Sequence, residues 1–214
     1  MKIIDLSHPY QDGMPIYPGT PDVHIFPYHQ EGWKCLGLNI STHAGTHIDA
    51  PSHLDPPGGK SIDQYRIGEF VGSGSVHQVL NPSENKAILP DDLNPAIELS
   101  PDEIPFLIIK TGWDQFWGED KYYKHPYLSP ELSTLIVECE YSLVGFDFIN
   151  ADSIQNPTGE AHRILFSAGI RIVENLTQLT LLDERKEYHF HFVPLMIPDG
   201  DGAPTRAYAV EVEG

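Results

Sequence analysis

His43-Ala44-Gly45-Thr46-His47-Ile48-Asp49-Ala50-Pro51-Ser52-His53 gathers three histidines and a carboxylate into eleven residues. Read as an extended strand, the stretch sends successive side chains to opposite faces. His43, Gly45, His47 and Asp49 then share one face, with Gly45 leaving room for a metal ion and its water. The spacing of His43 and His47 also matches the H-E-x-x-H helix of zinc proteases. A helix is disfavoured because Gly45 is interior, the central glutamate is missing, and Pro51 biases Ala50 away from αR. The preceding run Leu36-Gly37-Leu38-Asn39-Ile40-Ser41-Thr42 alternates apolar and polar residues. This predicts a half-buried strand over about 35–42 that carries the cluster at its end and gives way to a loop at Pro51.

Outside that stretch, the 214 residues are 40% hydrophobic and 10% aromatic, ample for the core of one domain spanning 1–214. A net charge of −18 argues against nucleic acid and anionic membranes as partners, since both require a basic footprint. Nineteen prolines and 18 glycines predict many turns and ordered loops, the usual carriers of active sites. Met1-Lys2-Ile3-Ile4-Asp5 lacks the apolar stretch of a signal peptide, and no segment reaches the length of a membrane span. The expectation is a cytoplasmic chain whose two cysteines, Cys35 and Cys139, are reduced and packed as small core residues.

Local signals place a first strand at 2–7, then a long loop imposed by Pro9, Pro15, Pro18 and Pro21. The segment 55–60 reads as a turn. Strands are expected at 75–80, 106–110, 143–147, 170–173, 188–195 and 208–212. Ser129 as N-cap and Pro130 at the first helical position open a helix to about Cys139. A second helix, from Glu160 to Ala168, ends on Gly169 as its C′ residue. The result is a single mixed α/β domain with many strands.

A second half for the metal site is sought downstream. His162 lies in the second helix and Glu174 ends the following strand; the Gly169 reversal can bring the two back together. A lone helix histidine is more often core or surface than ligand, so this pairing is weak by itself. His189 and His191 share a strand face, read as polar patterning rather than ligation. His8, His24, His29, His77 and His125 are expected in loops or at the surface. Trp113, Phe116, Trp117 and Tyr122 line a pocket or a subunit contact, or fill the core. Asp147 and Asp152 either support the site from behind or end strands and turns.

The string HAGTHIDAPSH resembles the HxGTHxDxPxH motif of the metal-dependent cyclase/hydrolase family that includes bacterial kynurenine formamidases (arylformamidases) and isatin hydrolase. The likeness continues through Ile16-Tyr17-Pro18-Gly19, Lys110-Thr111-Gly112-Trp113, Ala161-His162-Arg163-Ile164-Leu165 and Glu174-Asn175-Leu176. It closes in Asp199-Gly200-Asp201-Gly202-Ala203-Pro204-Thr205-Arg206-Ala207. The resemblance implies a barrel-like sheet with flanking helices (a swivelling β/β/α fold) and a homo-oligomer, dimer or tetramer. It also implies two divalent ions per subunit, zinc or manganese, matching the nitrogen and oxygen donors present. By the same resemblance His43, His47 and Asp49 hold one ion, His162 binds the second, and Asp49 and Glu174 contact both, while His53 shuttles protons. Tyr17 stands where formamidases of the family usually carry a tryptophan lining the substrate pocket. The expected activity is hydrolysis of a non-peptide C–N bond in a small amide by metal-activated water, with N-formylkynurenine of tryptophan catabolism as the first candidate substrate. The alternatives are a cyclic amide or lactone hydrolase, as with isatin, and a non-catalytic metal-binding scaffold of the same fold.

Overall fold

The computed structural model describes residues 2–54, 59–96 and 104–212. The turn expected at 55–60 falls mostly outside these residues, since 55–58 are not among them. In chain order come β1 Ile3–Asp5, β2 His24–Gln30, β3 Trp33–Asn39, β4 His47–Asp49 and β5 Val71–Val79. Next are β6 Ala87–Ile88, β7 Leu93–Asn94, β8 Phe106–Lys110, β9 Tyr127–Leu128, the helix α1 Pro130–Glu138 and β10 Leu143–Phe146. The helix α2 Glu160–Ser167 is followed by β11 Arg171–Glu174, β12 Tyr188–His191, β13 Gly202–Pro204 and β14 Tyr208–Glu211.

Ten strands build one sheet in the order β1-β14-β12-β5-β8-β10-β11-β4-β13, with β7 beside β5. The central β5, β8, β10 and β11 run parallel, and their outer neighbours pair antiparallel. Connectivity forces this sheet to curl. β13 and β14 stand seven strand intervals apart in the order, roughly 34 Å in a flat sheet. Only Thr205, Arg206 and Ala207 join them, a link reaching about 15 Å at full extension. The ends therefore approach each other, and a bridge between Ser7 and Leu176 carries the continuation of β1 across to the end of β11. The expected barrel-like sheet with flanking helices is present as a curled half-barrel with two helices.

Each strand face has its own core. In β8 the whole run Phe106–Lys110 is buried, as a central parallel strand requires. Phe106 and Ile108 point into the curl with Ile48, Val173, Phe190 and Ala203. Leu107 and Ile109 point to the other face, where Leu132 and Ile136 of α1 and Leu165 and Phe166 of α2 cover them. Ser129 caps α1 as expected, accepting a hydrogen bond from the Leu132 amide at 3.0 Å.

Several expectations need correction. The run ahead of the histidine cluster is not half-buried: β3 pairs only with β2 as a separate hairpin, and Leu36 and Leu38 are each 61% exposed. Alternation identifies faces; it does not supply a core to lie against one of them. Cys35 rides on this hairpin and is only partly covered, whereas Cys139 is buried as expected. His8 and His125 lie in loops as expected but are buried, and His77 is buried on β5. Trp113 and Tyr122 fill the core. The strand expected at 188–195 ends at His191, and that at 75–80 begins earlier, at Val71.

Candidate metal centre

The histidine cluster is not one extended strand. Only His47–Asp49 is β-structure, and the chain from Ser41 to Thr46 turns sharply with Gly45 at φ +61°. The glycine therefore leaves no gap between ligands. A side chain there would adopt a left-handed backbone and meet Met14 Cε at 2.8 Å. The turn frees the Gly45 carbonyl, which accepts hydrogen bonds from His47 Nδ1 at 2.8 Å and Asn175 Nδ2 at 2.9 Å. Thr46 Oγ1 in turn donates to the Asn175 carbonyl at 2.6 Å. The histidine cluster and the Glu174-Asn175-Leu176 segment are thus stitched together by backbone-directed hydrogen bonds.

Strand register completes the convergence. β4 lies antiparallel between β11 and β13, with His47 opposite Glu174 and Asp49 opposite both Ile172 and Gly202. His47, Asp49 and Glu174 consequently share one face, while Ile48 enters the core on the other. The α2 side brings His162 to meet them. The residue preceding α2, Gly159, offers no side-chain cap. Asp152 supplies one from the loop after β10, accepting from the amides of Ala161 at 2.9 Å and His162 at 3.2 Å. The same carboxylate takes the His162 Nδ1 proton at 2.6 Å and so fixes the ring.

Each of the three histidines has one nitrogen tied outward and the other aimed inward. His43 Nε2 donates to Asp201 Oδ2 at 2.9 Å, and its Nδ1 lies 2.6 Å from Asp49 Oδ1. His47 Nε2 sits 3.0 Å from Asp49 Oδ1 and 3.7 Å from Glu174 Oε2. His162 Nε2 is 3.6 Å from Glu174 Oε1 and 3.9 Å from Asp49 Oδ2. Outward hydrogen bonds that orient inward nitrogens are the support that metal-ligating histidines characteristically have. His47 Nε2 is buried without a hydrogen-bond partner, a costly arrangement that a cation between the carboxylates would relieve.

Electrostatics agree with that donor set. Burial disfavours the charge on His43, but Asp49 and Asp201 outweigh it and raise the imidazole to about 10. His47 and His162 are likewise raised despite burial, His47 chiefly by Asp49 and His162 chiefly by its hydrogen bond to Asp152. Burial pushes Asp49 upward, yet His47 and His43 hold it well below the usual carboxylate range. The pocket is built for positive charge. His43, His47 and Asp49 form one triad close enough to hold an ion, and Asp49, His162 and Glu174 form another sharing Asp49. The residues present fit a bound divalent metal.

These groups open on a cavity of about 500 Å³ also lined by Tyr17, His53 and Arg163. That size suits a small-molecule ligand. His53 ends the short helical turn Pro51–His53, its ring centroid 4.1 Å from that of His43. All seven residues singled out from the sequence (Tyr17, His43, His47, Asp49, His53, His162 and Glu174) therefore meet at one place. His189 and His191 stand elsewhere, on β12, with His191 stacked on Tyr208. Asp201 received no role from the sequence, although it lies in the closing segment whose likeness to the family was noted. Asp152, weighed as a support or a turn residue, serves as both.

Residues 4–153 match the sequence family described as Putative cyclase. The chain is 31% identical over 212 residues to a kynurenine formamidase of Geobacillus thermodenitrificans, covering 95% of each chain. It is 30% identical over 210 residues to a kynurenine formamidase of Bacillus cereus, again covering 95% of each. Among solved structures, an isatin hydrolase bound to the product analogue thioisatinate superposes with a TM-score of 0.85 at 20% identity, covering 100% of this chain and 93% of the other. A predicted metal-dependent hydrolase from Bacillus stearothermophilus gives 0.79 at 24% identity, covering 97% of each. The histidine–carboxylate cluster thus sits in a fold and a sequence background shared with these proteins, and the chain belongs to the putative cyclase family.

Proposed function

We propose that the chain is a metal-dependent hydrolase that cleaves the amide C–N bond of an aryl formamide of the N-formylkynurenine type. The observation that carries this reading is the meeting of His43, His47 and Asp49 with His162 and Glu174 around one cavity, with His53 beside them. A divalent ion held there lowers the pKa of its water and polarises a carbonyl oxygen. The chain's own residues do the rest. Asp49, common to both triads, would be shared between ions held there; Asp152 and the Gly45 carbonyl keep His162 and His47 in register. His53 would take the proton that the attacking water gives up and pass it to the leaving nitrogen, a general base that becomes the general acid. Tyr17 provides an aromatic wall for the aryl ring, and Arg163 places a cation in the lining of a strongly acidic protein, matching a substrate carboxylate. The formamidase names of relatives near 30% identity support the same substrate class.

No helix among the described residues is long and apolar enough to cross a membrane. The homo-oligomer is part of this proposal, supported by the β2–β3 hairpin, which exposes Phe26, Tyr28, Trp33, Leu36 and Leu38. The decisive experiment is a hydrolysis screen of N-formylkynurenine, N-formylaniline, isatin and an aryl lactone, with protein loaded separately with zinc and manganese. The expected result is turnover of the formamides, faster for the one bearing a carboxylate. Preferential turnover of isatin or the lactone would move the substrate to cyclic compounds. Inactivity on all four with metal bound would leave the scaffold reading.

A further inference from the structure

The closing segment Asp199–Ala207 has no part in the proposed chemistry so far, yet one of its carboxylates touches the site from behind. Asp201 Oδ2 accepts from His43 Nε2 at 2.9 Å and lies 3.1 Å from His53 Nδ1. Its other oxygen, Oδ1, accepts from Thr42 Oγ1 at 3.1 Å. The Asp201 carbonyl receives the Ala50 amide at 2.9 Å, which ties this loop to the chain just past β4. Asp201 is absent from the residues that line the cavity, so it stands behind the two rings and not in front of them.

The next residue shows that the approach is built. At Gly202 a Cβ would lie 2.7 Å from His43 Cε1 and 3.0 Å from the Ile48 carbonyl. Only a residue without a side chain lets the His43 ring lie against β13 within reach of the preceding carboxylate. The Asp201-Gly202 pair is a single device: one residue supplies the acceptor, the other the space.

We infer that Asp201 is the positioning residue for His53, accepting from its Nδ1–H so that the unprotonated Nε2 faces the cavity, free to accept a proton there and pass it on. The shared oxygen also keeps the His53 and His43 rings at a fixed separation. A neutral imidazole donates from one nitrogen and accepts at the other, and the hydrogen bond at the first decides which nitrogen is free. Without Asp201, His53, whose side chain is 39% exposed, has no other hydrogen bond among the described residues to select its tautomer or orient its ring.

This inference rests on the hydrolase reading for its kinetic arm but not for its spectroscopic one. The variants are Asp201→Ala and Asp201→Asn, the latter nearly isosteric and able to keep one acceptor. In zinc-loaded protein, ¹⁵N imidazole shifts should show His53 protonated at Nδ1 in the wild type and a mixture of tautomers in Asp201→Ala. On N-formylkynurenine, Asp201→Ala should lower kcat about 10–100-fold with KM within about twofold, in line with other supports behind active-site histidines. Asp201→Asn should fall between the two. Zinc content at saturation should match the wild type in both. In a His53→Ala background, Asp201→Ala should cost less than about threefold, because its effect passes through a ring already removed.

Loss of zinc from either variant would place the effect of Asp201 at the metal, as a ligand or as the support of His43, and overturn the inference. So would an equal cost with and without His53, or a His53 tautomer indifferent to the substitution. If the wild type hydrolyses none of the substrates, the hydrolase reading falls while the tautomer measurement still decides the role of Asp201.

Discussion

His43, His47 and His162 at the candidate metal centre and His8 and His125 elsewhere are all largely buried, yet the protein shifts the two groups in opposite directions. The first three face Asp49, Asp152, Asp201 and Glu174, and each is raised above its ordinary pKa. His8 and His125 have aromatic neighbours. His8 stacks on Trp117 at 3.7 Å and His125 on Phe148 at 5.6 Å, and burial lowers each to about 4. Depth alone favours the neutral ring, so the carboxylates decide the difference. A buried histidine is a functional candidate when its inward nitrogen faces an anion, and a packing residue when it faces a ring.

The comparison can be broken at its strongest point by removing Asp49. Asp49→Ala leaves His43 and His47 without their main counter-charge and takes away the carboxylate shared by both triads. The expected outcome is loss of bound zinc, measured by elemental analysis, and loss of hydrolysis with it. Unchanged stoichiometry would contradict the shared-ligand assignment.

His53 tests whether the site's histidines divide by task. His53→Ala is expected to keep its zinc and lose about 10²–10⁴ in kcat, the usual worth of a general acid or base. A variant that sheds metal would place His53 among the ligands instead.

Metal uptake should reveal the raised histidines directly. In the metal-free protein His43, raised to about 10, carries a proton at pH 7 that zinc must displace, and His47 and His162 are shifted the same way, so binding should release protons. Affinity should climb about tenfold per pH unit for each displaced proton, continuing up to about pH 10 for His43. Calorimetry in buffers of differing ionisation enthalpy measures the count. A release of none would mean that the rings are already neutral.

Stability against pH sharpens the contrast because the two populations have opposite sign. A raised histidine such as His43 stabilises the metal-free fold fully below its unfolded value of 6.5, and that contribution is lost as pH rises toward about 10. A lowered histidine such as His125 does the reverse. The unfolded chain takes up its proton first, so stability present above pH 6.5 is lost as pH falls toward about 4. At pH 4 that loss reaches about 3 kcal/mol for His125. His125→Asn, which can still donate to the Pro126 carbonyl, should flatten the acid limb of the urea midpoint by a comparable amount. His8, lowered in the same way, contributes slope of the same sign.

Much of this molecule is legible from local signals. The α1 helix follows from Ser129 and Pro130, β8 from an unbroken apolar run, and α2 from Gly169 at φ +78° just past its end. Each rests on forces acting within a turn or two of the chain. The hairpin was half-visible: alternation showed β3 as a strand but could not show that nothing covers it. Gly45 misled because a glycine between ligands reads as space, when its backbone conformation is what the turn requires.

The sequence by itself determined which side chains were candidates for the site: three histidines and two carboxylates as possible ligands and a nearby fourth histidine, in an acidic chain with the signature of the family. It could not determine which other histidines were buried neutral, nor that Asp201 stands behind His43 from 158 residues away. Those outcomes depend on which groups the curled sheet brings within a few Å. Electrostatic and hydrogen-bond energies fall off with distance in space, and distance along the chain does not enter them.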